Sequence, residues 1–358
     1  MQCIGITSYI KFHGRLPQVT MTVPVRPNML SFVATTSFGR PATKGNHMTR
    51  PLSLPTHALV LLFFLVPAVV IYAQENTHTS QGPYFGLVPP GNEAVVFAKN
   101  IISTDAYEHS APAFSADGKT VLWTVVERDR PARLVEITME GNNWSQPHAP
   151  SFADSLHDDF YPFFSIDGKQ LFFSSRRPLP SGLPVKDMAL WAVEHKADGW
   201  GVPVPVDTTI SHTVEYAHSL SRRGTLFFSL REMVNGKARW SIYTASFLNG
   251  SYAPSQPLDT SINDGSYVDG PLVAPDESFL IFESDRPGGM GSTDLYICFK
   301  KNGQWSAPKN MGPSINSPKA ERFAGLSPGG KYLFFGSNRS GELPDVYWIS
   351  ASIIDSLK

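Results

Sequence analysis

Phe279-Leu280-Ile281-Phe282 runs into Ser284-Asp285-Arg286-Pro287-Gly288-Gly289, then Asp294-Leu295-Tyr296, then Asn302-Gly303-Gln304-Trp305-Ser306-Ala307-Pro308. This is an apolar strand, a Gly-rich loop, a second strand, an Asn-Gly hairpin and a third strand that opens at Trp305. Degraded copies recur along the chain. Aligned on the apolar residue before a Ser-x-Asp-Gly-like turn, they fall at Phe114, Phe164, Leu220, Val273 and Leu326, with spacings of 50, 56, 53 and 53 residues. A period of that length with several strands per unit is a propeller period, because helical repeats lack these hairpin signals.

After each turn comes an unbroken apolar run, such as Leu171-Phe172-Phe173 or Leu333-Phe334-Phe335, which reads as a strand buried on both faces between neighbouring blades. Third strands follow, for example Leu190-Trp191-Ala192-Val193 and Leu295-Tyr296-Ile297-Cys298. The turn pairs Gly141-Asn142, Asp198-Gly199, Asn249-Gly250 and Asn302-Gly303 lead to fourth strands at Trp144, Trp200, Tyr252 and Trp305. Each is soon followed by proline, which an edge strand tolerates. The fifth unit lacks a fourth strand. Counting back from Phe114 by the 20 residues that separate a fourth strand from the next alignment position lands on Ala94, within Glu93 to Ala98. The expectation is an all-β fold: a single propeller of five four-stranded blades, six being the alternative, with the last blade closed by this N-terminal strand against Val346 to Ile349.

The composition, 12 % aromatic and 17 % charged with 30 Pro and 28 Gly, suits short strands with many turns and argues against disorder. Residues 1–74 hold six basic residues and no acidic one, so the formal net charge of −1 leaves the remainder at −7. A mildly acidic body is a poor nucleic-acid binder. Met48-Thr49-Arg50 followed by the apolar run Ala58 to Tyr72 reads as a signal peptide over 48–74, with an uncleaved membrane anchor as the alternative. Residues 1–47 read as a mis-assigned upstream start or a disordered leader, 75–91 as a lead-in and 92–358 as the propeller. Cleavage near Ala73 leaves Cys298 as the one cysteine, no stable membrane span, and a body expected to be monomeric in the periplasm or outside the cell.

Ser284 to Gly289, Asp294-Leu295-Tyr296, Trp305-Ser306-Ala307-Pro308 and Pro313-Ser314-Ile315-Asn316-Ser317 together resemble the WD-like β-propeller repeats of TolB-like exported bacterial proteins, also found before OmpA-like domains. The resemblance spans 92–350, most clearly in units four and five and least in unit three, where Arg222-Arg223 replaces the turn Asp. It implies an envelope protein that binds another protein or a cell-wall component. The chain departs in having no OmpA-like domain after the repeats and five units where TolB has six.

Gly118-Lys119-Thr120 has Ala113 where a phosphate loop needs Gly, and Gly288-Gly289-Met290-Gly291 lies between strands rather than before a helix. Neither marks a nucleotide site. No Ser elbow, zinc motif or calcium loop is present in the sequence. What recurs is a carboxylate ahead of each first strand, within Tyr107-Glu108-His109, His157-Asp158-Asp159, Glu215-Tyr216-Ala217-His218, Tyr267-Val268-Asp269 and Glu321-Arg322. Glu108, Asp158, Glu215, Asp269 and Glu321 are candidates for an acidic ring at one channel mouth, joined by His109, Asp159 and His218; a basic partner or a divalent cation would then compensate it, no other cofactor being implied. The structural alternative is that each carboxylate braces a loop. Arg176, Arg231, Arg286 and Arg339 recur after the second strand, where pairing with Asp187, Asp294 or Asp345 is the structural expectation. In an up-and-down blade these positions share a face, and the opposite face, with only tight turns, is expected to offer little concavity. The functional expectation is an exported, non-catalytic propeller that binds a protein or cell-wall partner; the alternative is a glycan-active hydrolase or lyase on the same scaffold, centred on His157-Asp158-Asp159 and the loop Arg177 to Lys186.

Overall fold

The computed structural model describes residues 80–180, 188–197, 199–206 and 215–358, without the side chains of 215–217. The expected leader and signal peptide, Asp187, Asp198 and most of the loop to Lys186 lie outside the described residues.

Five antiparallel sheets follow one another in chain order. Blade one has its inner strand in two pieces, Tyr107–Glu108 and Ala113–Phe114, then Thr120–Val126, Arg133–Glu140 and Asn143–Trp144. Blade two runs Asp159–Phe164, Gln170–Ser175, Ala189–Lys196, with Gly199–Trp200 and Val204–Pro205 outside. Blade three is Glu215–Leu220, Leu226–Val234, Lys237–Ala245 and Gln256–Pro257, and blade four is Val268–Val273, Phe279–Ser284, Asp294–Lys301, with Gln304–Trp305 and Lys309–Asn310 outside. Blade five contributes Glu321–Leu326, Tyr332–Ser337 and Asp345–Ser350, and takes its fourth strand from Val95–Val96, paired Val95↔Trp348 and Val96↔Tyr347. The ring is closed by the start of the chain, as the 20-residue offset predicts. Phe97 anchors the closure, fully buried among Phe114, Phe334 and Trp348.

The turns explain themselves chemically. In the first, the Asp117 carboxylate accepts from Ser115 Oγ at 2.6 Å and from Lys119 N at 3.1 Å, while Ser115 Oγ accepts from Thr120 N at 2.9 Å. Gly118 sits at φ 70°, which glycine adopts without a steric penalty. Ser165, Asp167 and Gly168 repeat the pattern one blade on. The runs that follow are buried on both faces, with Leu171, Phe173, Ile281, Phe282, Phe334 and Phe335 at 0 % exposure.

The outer strands are interrupted rather than continuous. After Trp144 and Trp305 the ladder lapses, and the hydroxyls of Ser145 and Ser306 accept the third-strand N–H groups of Thr138 and Phe299. In blade three the expected strand at Tyr252 pairs with Phe247–Leu248 as a separate ribbon. Trp200 reaches back to the preceding blade, donating to Glu136 at 2.9 Å, and Trp305 meets Phe227 of its preceding blade edge-on. Trp144 has the lead-in as its neighbour: its Nε1 donates to Gly82 O at 2.8 Å and its ring lies 4.6 Å from that of Phe85. Residues 81–85 are therefore packed on blade one, and Tyr84 also meets Tyr332 and Trp348 of blade five. A short helix, Ile353–Ser356, ends the described chain and buries Ile354. Among the described residues no helix is long and apolar enough to cross a membrane.

Candidate functional site: the central channel

Ladder register defines which residues are equivalent. Asp159 pairs with Ser175, Glu215 with Leu230, Val268 with Ser284, Glu321 with Ser337 and Glu108 with Val125, each four residues beyond the pair formed by the alignment residue. The acidic position is therefore Glu108, Asp159, Glu215 and Glu321, with Val268 standing there in blade four; Asp158 and Asp269 are its neighbours.

Glu108, Asp159, Asp269 and Glu321 do not form an open acidic mouth. Glu108, Asp159 and Glu321 are at most 1 % exposed and Asp269 is 2 % exposed. Glu321 accepts from Ser317 N and Oγ at 2.8 and 2.6 Å and from Ser337 Oγ at 2.7 Å, and pairs with Arg339 at 3.1 Å. Glu108 repeats the loop motif, accepting from Thr104 N and Oγ1 at 3.2 and 2.7 Å, and burial pushes its carboxyl up to about 7. Asp159 binds Arg177 Nη2 at 2.6 Å, with the guanidinium 5.0 Å from the Phe173 ring centre. In blades one and five the physical reason is local: the loop entering the inner strand has N–H and hydroxyl donors to satisfy, and a buried carboxylate satisfies several at once. Asp158, half-buried, braces Ala132 N at 2.7 Å and Arg176 at 3.2 Å. Glu215 occupies the equivalent place in blade three. His157 pairs with Asp154 at 2.8 Å.

The arginines also differ from the expected Arg–Asp pairs. Arg286 stacks over Phe282 and Tyr296 at 5.2 and 4.8 Å and donates to Ile262 O at 2.6 Å. Asp294 instead accepts from Gly291 N at 3.0 Å and Asn310 Nδ2 at 2.8 Å. Arg339 copies Arg286, over Phe335 and Tyr347 and bonded to Ile315 O. Arg231 is not in a loop: it lies within Leu226–Val234 and covers Trp240, because a tight Asn235-Gly236 turn replaces the long connection in blade three.

Beyond the acidic position every inner strand changes register before Phe163, His218, Leu272 and Gly325, or is broken between Glu108 and Ala113 in blade one. At three of these bulges the backbone turns left-handed, at Tyr161 (φ 54°), Gly270 (φ 61°) and Phe323 (φ 47°). Bulky residues adopt this conformation only under constraint. Tyr161 and Phe323 pack at 4.9 Å, each ring 5.1–5.3 Å from His109, and His109 Nε2 lies 2.9 Å from Tyr161 Oη. A Cβ at Gly270 would stand 3.2 Å from the Phe323 ring, so glycine there makes room for the cluster. Burial holds His109 down at about 4. Together these rings plug the channel.

Under the plug lies a buried network that joins Asp269, a candidate from the sequence, to Tyr267 and to Glu283, which the sequence reading does not single out. Tyr267 Oη is 3.0 Å from Asp269 Oδ2 and 2.8 Å from Glu283 Oε1; Glu283 Oε2 accepts from Phe323 N at 2.9 Å and Asp269 Oδ1 from Gly270 N at 2.7 Å. One phenol has one proton to give, so bonding both carboxylates requires one of them to keep its own proton. Burial, and for Glu283 the Asp269 charge, pushes both carboxyls up, with Arg322 as the compensating cation.

The cavity lies on the other side of the plug. About 690 Å³ opens on the face that carries the turns between first and second strands, where the sequence reading expects little concavity. Tyr161 and Phe323 line it, the turn residues Ala116, Ile166, Pro275 and Pro328 surround its mouth, and the C-terminal helix forms one side. The tight turns themselves build the rim. Among the described residues no group of three or more His, Cys, Asp or Glu is placed to hold a metal ion.

The chain is thus a five-bladed β-propeller with a plugged channel and a central cavity on the face of the turns between first and second strands. Solved propellers are among the structures it resembles. The putative TolB from Agrobacterium tumefaciens is 21 % identical over 64 % of this chain and 69 % of that one, with a TM-score of 0.42. TolB from Acinetobacter baumannii is 16 % identical over 70 % of this chain, with a TM-score of 0.44, and the chain spans 53 % of its length. The catalytic domain of a Coprinopsis cinerea GH62 α-L-arabinofuranosidase is 9 % identical over 73 % of this chain and 97 % of that one, with a TM-score of 0.47. No protein-family model and no curated protein sequence matches the chain.

Proposed function

We propose that the chain is an exported, non-catalytic β-propeller that binds a protein or cell-wall partner in the cell envelope. The observation that carries this reading is the commitment of its recurrent carboxylates: Asp159, Asp269 and Glu321 are each buried and already hold internal donors. An acid and base pair for glycan cleavage has to face substrate, and these face the fold. The leader supports export through its apolar Ala58 to Tyr72 run behind Arg50. On this reading Glu108, Asp159 and Glu321 fix the loops that present one face to a partner, and partner contacts come from the loops' exposed residues.

The experiment pairs localisation with binding. N-terminal sequencing of the chain recovered from the envelope fraction is expected to start near Gln74, and the immobilised mature chain is expected to retain a specific envelope component without releasing reducing ends from cell-wall glycan. A cytoplasmic chain that begins at Met1 overturns the export half. Sustained glycan cleavage overturns the non-catalytic half.

A further inference from the structure

The turns between first and second strands place Ala116, Ile166, Arg222, Pro275 and Pro328 at corresponding positions, and all five line the mouth of the central cavity. Four are aliphatic and one is a cation. Arg222 also lines a second hollow, of about 660 Å³, that opens on the same face between blades two and three. We propose that this interblade groove binds a small amphipathic monocarboxylate, a free fatty acid, with the carboxylate on Arg222 and the alkyl chain between the blades.

The groove lies where blade three departs from the repeat. At the two flanking junctions a tryptophan reaches across to the preceding blade, Trp200 to Glu136 and Trp305 to Phe227. Blade three has the smaller Tyr252 in that place, held in the detached ribbon with its ring 5.0 Å from that of Phe247. What remains is a trough walled by Phe172, Ala192, Val206 and Leu220, with Tyr252 and Phe247 along one lip. Phe247 is 46 % exposed and Ile166, across the groove, 37 % exposed, so an alkyl chain laid between them takes apolar surface out of water on both sides. The volume falls within the range of small-molecule pockets, roughly 300–1,000 Å³.

The sign of the head group follows from Arg222. Its side chain is exposed, and among the described residues its guanidinium forms no ion pair. Asp276 feels that charge but keeps to its own turn, accepting from Ser278 N at 3.0 Å. The acid that lines the groove, Asp167, is already compensated by Ser165 Oγ at 2.7 Å and by Lys169 Nζ at 4.0 Å. A planar guanidinium with donors to spare takes a carboxylate through two parallel hydrogen bonds. One cation matches one negative charge, whereas the second charge of a phosphate monoester would face Asp167 and Asp276 uncompensated. The site is separate from the envelope-partner reading, and its test needs only the purified chain.

The probes are decanoate, decanol and decyltrimethylammonium, which share one tail and differ in charge, with acetate as the head group alone. Isothermal titration at neutral pH and low salt is expected to show one decanoate site per chain. Decanoate should bind about tenfold or more tightly than decanol, a difference of roughly 1.4 kcal/mol, with decyltrimethylammonium weaker still and acetate not saturating. Arg222→Gln is expected to bring decanoate down to the affinity of decanol while leaving decanol unchanged. Ser251→Trp fills the groove from an exposed position and is expected to weaken both ligands by about tenfold; Phe247→Ala, which removes one lip, acts in the same direction. Thermal melting checks that each variant still folds. Equal affinity for decanoate and decanol, undiminished decanoate binding in folded Arg222→Gln or Ser251→Trp, or no saturable site overturns the proposal. So does tighter binding of an apolar-ended tripeptide than of decanoate, which would make the groove a peptide site.

Discussion

Replacing Glu283 with glutamine tests the proton in the buried network. The native carboxyl is held protonated well above its ordinary value by burial and by the Asp269 charge, whereas in the unfolded chain it ionises near its ordinary value. A group whose folded pKa is raised binds more protons in the native state across that window, so its stabilisation is present at low pH and is lost as pH rises through the folded value. The slope for one proton is at most about 1.4 kcal/mol per pH unit. Between about pH 6.5 and pH 8, Glu283 therefore removes up to roughly 2 kcal/mol, and Glu108, raised to about 7, adds a smaller loss confined to the lower part of that range. For a domain of this size each 1 kcal/mol moves the melting temperature by about 2–4 °C, so the parent should lose about 4–8 °C. A glutamine side chain presents the same shape as the protonated acid: its carbonyl can accept from Phe323 N and its amide can donate to Tyr267 Oη, leaving the phenol proton for Asp269. Glu283→Gln should flatten most of that fall while changing stability little at pH 6.5. Melting curves followed by near-UV circular dichroism at the two pH values measure it. A variant with the parent's slope, or a parent that gains stability toward pH 8, refutes the shared-proton reasoning.

The acid side carries the opposite sign. His109 has its folded pKa lowered to about 4, so its contribution is present above its ordinary value and is lost as pH falls toward 4; His109→Gln should blunt that acid loss in the same melting assay. Phe97→Ala should cost about 3–5 kcal/mol, and near-UV and far-UV denaturation curves should still coincide, because the closing strand holds the whole ring rather than one blade. Gly270→Ala places a Cβ 3.2 Å from the Phe323 ring at a left-handed φ of 61°, and should destabilise by roughly 1–3 kcal/mol, with partial recovery on adding Phe323→Leu; a strictly additive double variant would show that the two sites do not meet.

The period, the buried second strands and the closing strand were legible because each is a spacing, and spacings survive the loss of individual residues. Register was not. Adjacent acids in Asp158-Asp159 and Val268-Asp269 left a one-residue choice open, and blade one carries an extra residue between Glu108 and Phe114, so aligning on distance chose Asp158 where the ladder chooses Asp159. In a strand that one-residue difference exchanges the faces. It separates the half-buried Asp158, which braces a loop, from the fully buried Asp159, which pairs with Arg177. The left-handed bulges were hidden for a different reason: at Tyr161 and Phe323 bulky rings take a conformation that sequence rules assign to glycine, and Gly270 alone gave the usual signal. Tertiary packing of the plug overrides local preference there.

Asn235-Gly236 was readable as a hairpin and changes how blade three should be weighed. That blade replaces the long connection with this turn, carries Arg222-Arg223 in place of the turn Asp, detaches Phe247–Leu248 and Ser251–Tyr252 as a ribbon, and puts His218 where three other blades put proline. In a ring of repeats, what recurs is held by packing demands that several blades share, as the buried acids and stacked arginines show. What departs from the repeat is free of those demands. The wall of the central cavity therefore departs most from the repeat at blade three, where His218 stands in place of the Pro112, Pro162 and Pro271 of the other inner strands.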